Sequence, residues 1–204
     1  MDKISLRSQV KSLIILLFIF SFLLGFIYPG IIMFINQLAF PNKSNGSLIV
    51  EDTLLGSELI GQSFEKAKFF WGRPSSTTPE YDPSCGHGSN LSPSNPKLLE
   101  NIQKRIKKLK GVDPHNNALI PIDLVCASGS GLDPHISVAA AYYQIPRIAK
   151  ERHLKEEFLY AIVNAAIEPR QFGFLGEPRV NVVKLNLYLY KTDRTYYGTR
   201  ASRS

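Results

Sequence analysis

An α+β domain carried behind one membrane-spanning helix is the architecture that this sequence predicts. Three observations carry the prediction. From Ser12 to Asn42 there is no charged side chain over 31 positions. Further along, stripes of apolar residues recur at helical spacing, each opened by a residue that caps helices well. Between them lie short apolar runs bounded by Ser, Pro, Gly and Asn, which have the length and punctuation of strands.

The apolar stretch comes first. Leu13 to Leu24 reads LIILLFIFSFLL, and about 20 such residues cross a hydrocarbon core of roughly 30 Å. Residues 12–36 are therefore expected to form a transmembrane helix, behind a leader of residues 1–11. A cleaved secretory signal would end in small residues. Here the first alanine is Ala39, with Gln37 two places before it, so the segment reads as a retained anchor. Lys3, Arg7 and Lys11 precede it against Asp2, while Lys43, Glu51 and Asp52 follow. Basic flanks stay on the cytoplasmic side, which puts the amino end inside and the rest of the chain outside. Ser21 and Gly25, four apart, form a small-residue face that lets another helix approach closely. Pro29 is expected to bend the helix above them. No charge lies within the span, so it builds no ion path unaided.

A polar connector, 37–47, leads to an extracytoplasmic domain over 48–191. Leu48 to Val50, Leu59 to Phe64 and Phe69 to Trp71 read as strands or sheet-edge pieces. Arg73 to Pro96 is a long loop, a class of segment that is usually functional or mobile. Asn95-Pro96 opens a helix with Leu98, Ile102, Ile106 and Leu109 on one face and Gly111 as its stop. Lys104, Lys107, Lys108 and Lys110 make its solvated side. A strand over Ile120 to Ala127 is expected to feed the turn Ser128-Gly129-Ser130-Gly131. Asp133-Pro134 then caps a helix that Pro146 should kink or split. Another helix starts near Lys155, burying Phe158, Leu159, Ile162, Val163 and Ala166. Arg170 to Pro178 is a turn-rich link. The closing run VNVVKLNLYLY alternates like a strand, but Asn181 as a cap favours a helix. Residues 192–204 are predicted to be a polar, basic, disordered tail.

Charge and cysteines narrow the function. The net charge of +7 divides into +2 in the leader, +3 in the last fourteen residues and +2 over everything between. That is an ordinary surface, and it excludes a nucleic-acid role. Cys85 and Cys126 lie on the side where oxidation occurs, and stand as candidates for a disulfide or for two separate thiols. Cys85-Gly86-His87 without a second ligand pair makes no metal site. Ser128, Ser130, Asp133 and His135 together suggest a serine hydrolase, but the G-x-S-x-G elbow is missing and a triad is a matter of geometry. The same glycine-rich turn before a helix start has the form of an anion site; the plain reading, a strand-to-helix turn, is favoured over both. No catalytic residue and no metal are expected.

Several motifs occur in order: GSLIV at Gly46 to Val50, GSELIGQSF at Gly56 to Phe64, FFWGRPS at Phe69 to Ser75, and GSNLSPSNP at Gly88 to Pro96. DLVCASGSGLDPHIS at Asp123 to Ser137, YQIPRIAKERHL at Tyr143 to Leu154, and VNVVKLNLYL at Val180 to Leu189 follow them. As a set they resemble the C subunit of the bacterial high-affinity potassium-transporting ATPase, the Kdp system, from the anchor to about Lys191. Cys126, where that family usually has threonine, and the tail after Thr192 are departures. The resemblance implies a non-catalytic, inner-membrane subunit with two partners. One is a potassium-conducting channel-like subunit and the other a P-type subunit that hydrolyses ATP. It also implies a role in assembly and a catalytic-chaperone action that raises ATP affinity. Gln144 in YQIPR is the residue to which a nucleotide contact carries over, beside its plain reading as a hydrogen-bonding helix glutamine. No cofactor is bound tightly, and ATP enters only through the complex. Because Gln144 is expected outside and ATP is hydrolysed inside, conformational coupling is the favoured route. The rival readings are a membrane-anchored extracytoplasmic hydrolase using Ser128 or Ser130 with His135, and an envelope binding module.

Overall fold

The computed structural model describes residues 6–51 and 53–201, with side chains as far as residue 192. Asp2, Lys3 and Arg203 of the predicted leader and tail lie outside the described residues, as do the side chains of Asp193, Arg194 and Arg200. The chain divides into two compact units, Met1–Leu55 and Gly56–Ser204.

The first unit is a continuous helix from Leu6 to Ala39, 34 residues long and with none of its most apolar window buried. At 1.5 Å per residue it is about 51 Å long, more than a hydrocarbon core requires. It has three parts: α1 (Leu6–Phe22), a π-helical turn (Leu23–Ile27) and α2 (Tyr28–Ala39). Pro29 explains the irregularity. It has no N–H to give the carbonyl four residues back, and the Tyr28 N–H reaches five residues back, to the Leu23 carbonyl. The predicted bend therefore takes the form of a widened turn. A short helix α3 (Pro41–Ser44) follows, and the strands β1 (Leu48–Val50) and β2 (Leu54–Ser57) form a two-stranded sheet.

Among the described residues, the second unit holds four α-helices and a three-stranded antiparallel sheet. Helix α4 (Pro96–Val112) is capped by the Asn95 side chain, which accepts from the Lys97 N–H at 3.0 Å. Helices α5 (Val138–Arg152), α6 (Glu156–Ala165) and α7 (Val182–Ala201) complete the set. The strands β3 (His135–Ser137), β4 (Ile167–Glu168) and β5 (Arg179–Asn181) run in the order β3-β5-β4, with Ile136 and Ile167 both opposite Val180. One core joins Trp71 and Phe70 to Leu109, Leu124, Ile145, Ile148, Leu159, Val163, Leu185 and Leu189.

The helices over 95–112, 155–166 and 181–191 stand where they were expected, and the strands largely do not. Leu59–Phe64, Phe69–Trp71 and Ile120–Ala127 form no strand; the last holds only a 3-10 turn, Ile122–Leu124, after Pro121. The Asp123 carboxylate accepts from the Ser137 N–H (2.5 Å) and hydroxyl (3.2 Å), which ties that turn to the next strand. Asp133 is not a helix cap, and His135 is not in a helix. The chain first makes β3, and Ser137 caps α5 by accepting from the Ala140 N–H. Pro146 does not split α5, because Ala140, Ala141, Ile145, Ile148 and Ala149 are packed on both sides of it. Helix α4 runs past Gly111 to Val112, and α7 continues to Ala201 where a disordered tail was predicted from Thr192.

Trp71 is 1% exposed at the centre of this core. Trp71→Ala is expected to destabilise the domain by about 3–5 kcal/mol, and Trp71→Phe by clearly less. Chemical unfolding of the detergent-solubilised chain, followed by circular dichroism, checks both.

Candidate functional site

Lys66 to Phe69 makes a turn, the Phe69 N–H donating to the Lys66 carbonyl (3.1 Å), and Phe70 to Arg73 continues in no helix or strand; side chains supply further hydrogen bonds to this stretch. The Lys66 carbonyl accepts from Trp71 Nε1 at 3.1 Å. Arg147 donates to the carbonyls of Ala67 and Phe69, and Arg152 to that of Lys68 at 2.6 Å. Asn186 takes Phe70 at both ends, accepting from its N–H (2.9 Å) and donating to its carbonyl (2.8 Å). Arg105 donates to the Gly72 carbonyl (3.2 Å), and the Tyr81 hydroxyl to that of Arg73 (2.5 Å). Burial pushes the Tyr81 phenol up to about 12, so it donates throughout the physiological range.

Gln144 is the centre of this arrangement. Its Oε1 accepts from the Trp71 N–H (2.7 Å) and from Arg147 Nη2 (2.7 Å). Its Nε2 donates to the carbonyls of Trp71 (3.1 Å) and Ala140 (3.2 Å). A primary amide has two donors and an oxygen with two lone pairs, so every position is filled. The side chain is 1% exposed. Above it the Trp71 ring meets three cations, with Arg147 at 4.6 Å, Arg105 at 5.3 Å and Lys108 at 5.4 Å from its centroid. Burial pulls the Arg147 guanidinium down to about 10, still charged at neutral pH. The arrangement is a clamp on backbone, with no donor or acceptor of Gln144 left for a ligand.

The turn Ser128-Gly129-Ser130-Gly131 packs against the 73–96 loop. Ser128 is buried. The Ser75 hydroxyl donates to the Gly131 carbonyl (2.8 Å), and Ser130 Oγ accepts from the Leu132 N–H (3.2 Å). Gly131 has φ +68°, and a Cβ there would stand 2.5 Å from the His87 carbonyl, so only glycine fits. The turn leads into β3 and not into a helix, which removes the dipole that the anion-site reading needed. His135 does not face either serine. Its Nδ1 is 3.1 Å from Asp133 and its Nε2 3.4 Å from Glu168. Glu168 also meets Arg179 (3.1 Å) and Lys184 (3.8 Å), and Lys184 meets Glu58 (2.7 Å). The chemistry of a hydrolase is therefore not assembled at His135.

Ser21 and Gly25 lie on the exposed helix of the first unit, and nothing crowds the Gly25 position. Cys85 and Cys126 are free thiols, the first exposed, which corrects the disulfide alternative. No His, Cys, Asp or Glu cluster suited to a metal exists among the described residues. Space for a ligand occurs elsewhere, in a groove of about 580 Å³ between α6 and α7, lined by Phe158, Ala161, Ile162, Ala165, Leu185 and Tyr188. Sequence reasoning missed the roles of Arg147, Arg152 and Asn186. The available signal was polar residues interrupting buried stripes: Gln144 and Arg147 among the alanines and isoleucines of α5, and Asn186 between Leu185 and Leu189.

Gln144→Leu removes all four hydrogen bonds and leaves buried Trp71 and Arg147 groups without partners. A loss of about 1–3 kcal/mol is expected, read as a lowered unfolding midpoint. The Asp133 carboxyl gives a pH dependence. Burial works to raise its pKa, but hydrogen bonds from the His135 ring and N–H, with the charges of His135 and Arg73, outweigh that and hold it below the ordinary 3.8. A depressed folded value stabilises at pH above the unfolded value and is lost as pH falls through the folded one. Asp133→Asn should therefore flatten the acid limb of stability below about pH 4, measured as midpoint against pH.

Residues 10–191 match the family described as "K+-transporting ATPase, c chain". The "Potassium-transporting ATPase KdpC subunit" of Methylococcus capsulatus is 51% identical over 184 residues, 89% of this chain and 97% of that one. The subunits of the same description from Janthinobacterium sp. (strain Marseille) and Dechloromonas aromatica are 47% and 50% identical, over 90% and 81% of this chain and 98% and 87% of theirs. At such identity over nearly full length, and with all of the ordered motifs inside the match, the chain belongs to the KdpC family, the non-catalytic C subunits of the Kdp potassium-transporting ATPase.

Proposed function

We propose that this subunit assembles and modulates the pump from the outer face of the inner membrane, its amino end in the cytoplasm. Its partners are a potassium-conducting, channel-like subunit and a P-type subunit that hydrolyses ATP. The anchor packs through Ser21 and Gly25 against a partner helix, where small residues allow close approach. The catalytic-chaperone action, a raised ATP affinity in the hydrolytic subunit, is conformational coupling and involves no nucleotide bound at Gln144. The observation that carries this reading is the filled hydrogen-bond capacity of Gln144 inside a closed core. A ligand there would have to displace the Trp71 backbone. Coupling needs only that the subunit bind two states of its partner with different affinity.

Two measurements test it. A membrane-impermeant maleimide should label Cys85 in right-side-out vesicles; labelling only after permeabilisation would reverse the topology. In the assembled complex, a photoactivatable ATP analogue should mark the hydrolytic subunit alone, and withdrawal of this chain should raise the ATP concentration needed for half-maximal hydrolysis. Nucleotide cross-linked to the α5 region would overturn the coupling reading.

A further inference from the structure

Between β4 and β5 the chain makes a tight hairpin whose tip is apolar and uncovered. Phe172 is 87% exposed, Phe174 69% and Leu175 47%. Part of the tip's backbone is paired within the turn. Gln171 and Leu175 exchange both N–H to carbonyl bonds at 2.9 Å, Gly173 N–H donates to Arg170, and Phe174 N–H donates to Gln171. Phe172 and Gly173 hold the turn with positive φ, +52° and +82°. The charges at its base are neutralised, Arg170 by Glu177 at 2.6 Å and Arg179 by Glu168 at 3.1 Å.

We infer that this hairpin is a lipid-contact element, which dips Phe172, Phe174 and Leu175 into the headgroup region of the bilayer that holds the anchor. Two features of the tip suit it to that medium. Phe and Leu side chains on an otherwise polar element bury at the boundary between headgroups and acyl chains. Paired charges at the base add no desolvation of a bare ion. A protein interface, by contrast, needs roughly 800 Å² on each partner, more than three residues on a narrow tip present. The tether supplies the proximity. The 17 residues from Ala39 to Gly56 span at most about 60 Å at about 3.5 Å each, so the tether keeps the domain within reach of the membrane, and a weak contact is made at raised effective concentration. The inference rests on the anchor reading and on nothing about nucleotide or potassium.

The test uses the full chain carrying Cys85→Ser and Cys126→Ser, in vesicles of phosphatidylethanolamine and phosphatidylglycerol. An environment-sensitive dye is placed at Phe172→Cys, at Leu119→Cys (a residue 94% exposed) or at Leu17→Cys in the anchor. The dye at 172 should be quenched by nitroxides near the lipid headgroups and sheltered from aqueous iodide, and the dye at 119 should show the reverse. Adding Phe174→Ser and Leu175→Ser should return the dye at 172 to water while the circular dichroism stays unchanged. Free access of iodide to position 172 overturns the proposal. So does shelter that appears only when the other subunits are added, which would make the tip a protein contact. The dye at 17 reports the tether separately: if deep nitroxides leave it unquenched, the anchor reading fails and the hairpin proposal falls with it.

Discussion

The second unit depends on one constraint: a stretch of backbone outside any helix or strand, Lys66 to Arg73, carries the buried Phe70 and Trp71 into the core with no strand beside it. Buried carbonyls and N–H groups must be paired, and the usual solution is a sheet. Here Gln144 and Asn186 each grip a single residue by its N–H and its carbonyl, as an adjacent strand would. Arginines take carbonyls between and around them. Helices α4, α5 and α7 are thus joined through a segment that belongs to none of them.

This solution is demanding because several of its members are charged. Arg147 is 3% exposed and hydrogen-bonds carbonyls and Gln144. Burying a guanidinium is costly unless its donors are met. The Trp71 ring face beneath it adds cation–π attraction, stronger where water is excluded. The cost of losing any one partner is therefore high, and the arrangement is held as a unit. Lysine could not replace Arg147, since a point ammonium lacks the planar fork that reaches two carbonyls and an amide oxygen at once.

The helices were legible because their signals are local. Asn95-Pro96, the apolar stripe from Leu98 to Leu109, and Asn181 before Val182 are cap and period in a few residues. The anchor was legible from length alone. Leu48–Val50 is the strand it was read as, but other strand readings failed for a physical reason: Phe69-Phe70-Trp71 has the composition of a strand, yet its partners lie on α5 and α7, far off in sequence. Nothing near Phe70 announces Asn186. The turn before Asp133 shows the same limit. Asp133-Pro134 is a good cap signal, yet Pro134 gives its carbonyl to the Val182 N–H at 2.9 Å, and the pairing of β3 with β5 overrides the local preference. As for the candidate site, Gln144 came into view only through a family resemblance, and its surroundings give it a structural occupation that composition could not reveal.

A subunit without reacting groups influences a reaction elsewhere only through contacts that differ between states of its partner. The Gln144 clamp is poorly suited to such a difference, because its groups are saturated and any rearrangement strands a buried charge. The surfaces left free are better suited. The anchor is exposed along its whole described length, and its π-helical turn at Leu23–Ile27 is a local departure of the kind that is frequent at functional sites. The groove between α6 and α7 is likewise open to solvent. A rigid core between adaptable surfaces is what a coupling element requires, since a shift at one surface reaches another only if the material between does not yield. The buried polar clamp is thus the stiffening member of the domain, and under the proposed coupling the chemistry-free surfaces are where an influence on a partner would be exerted.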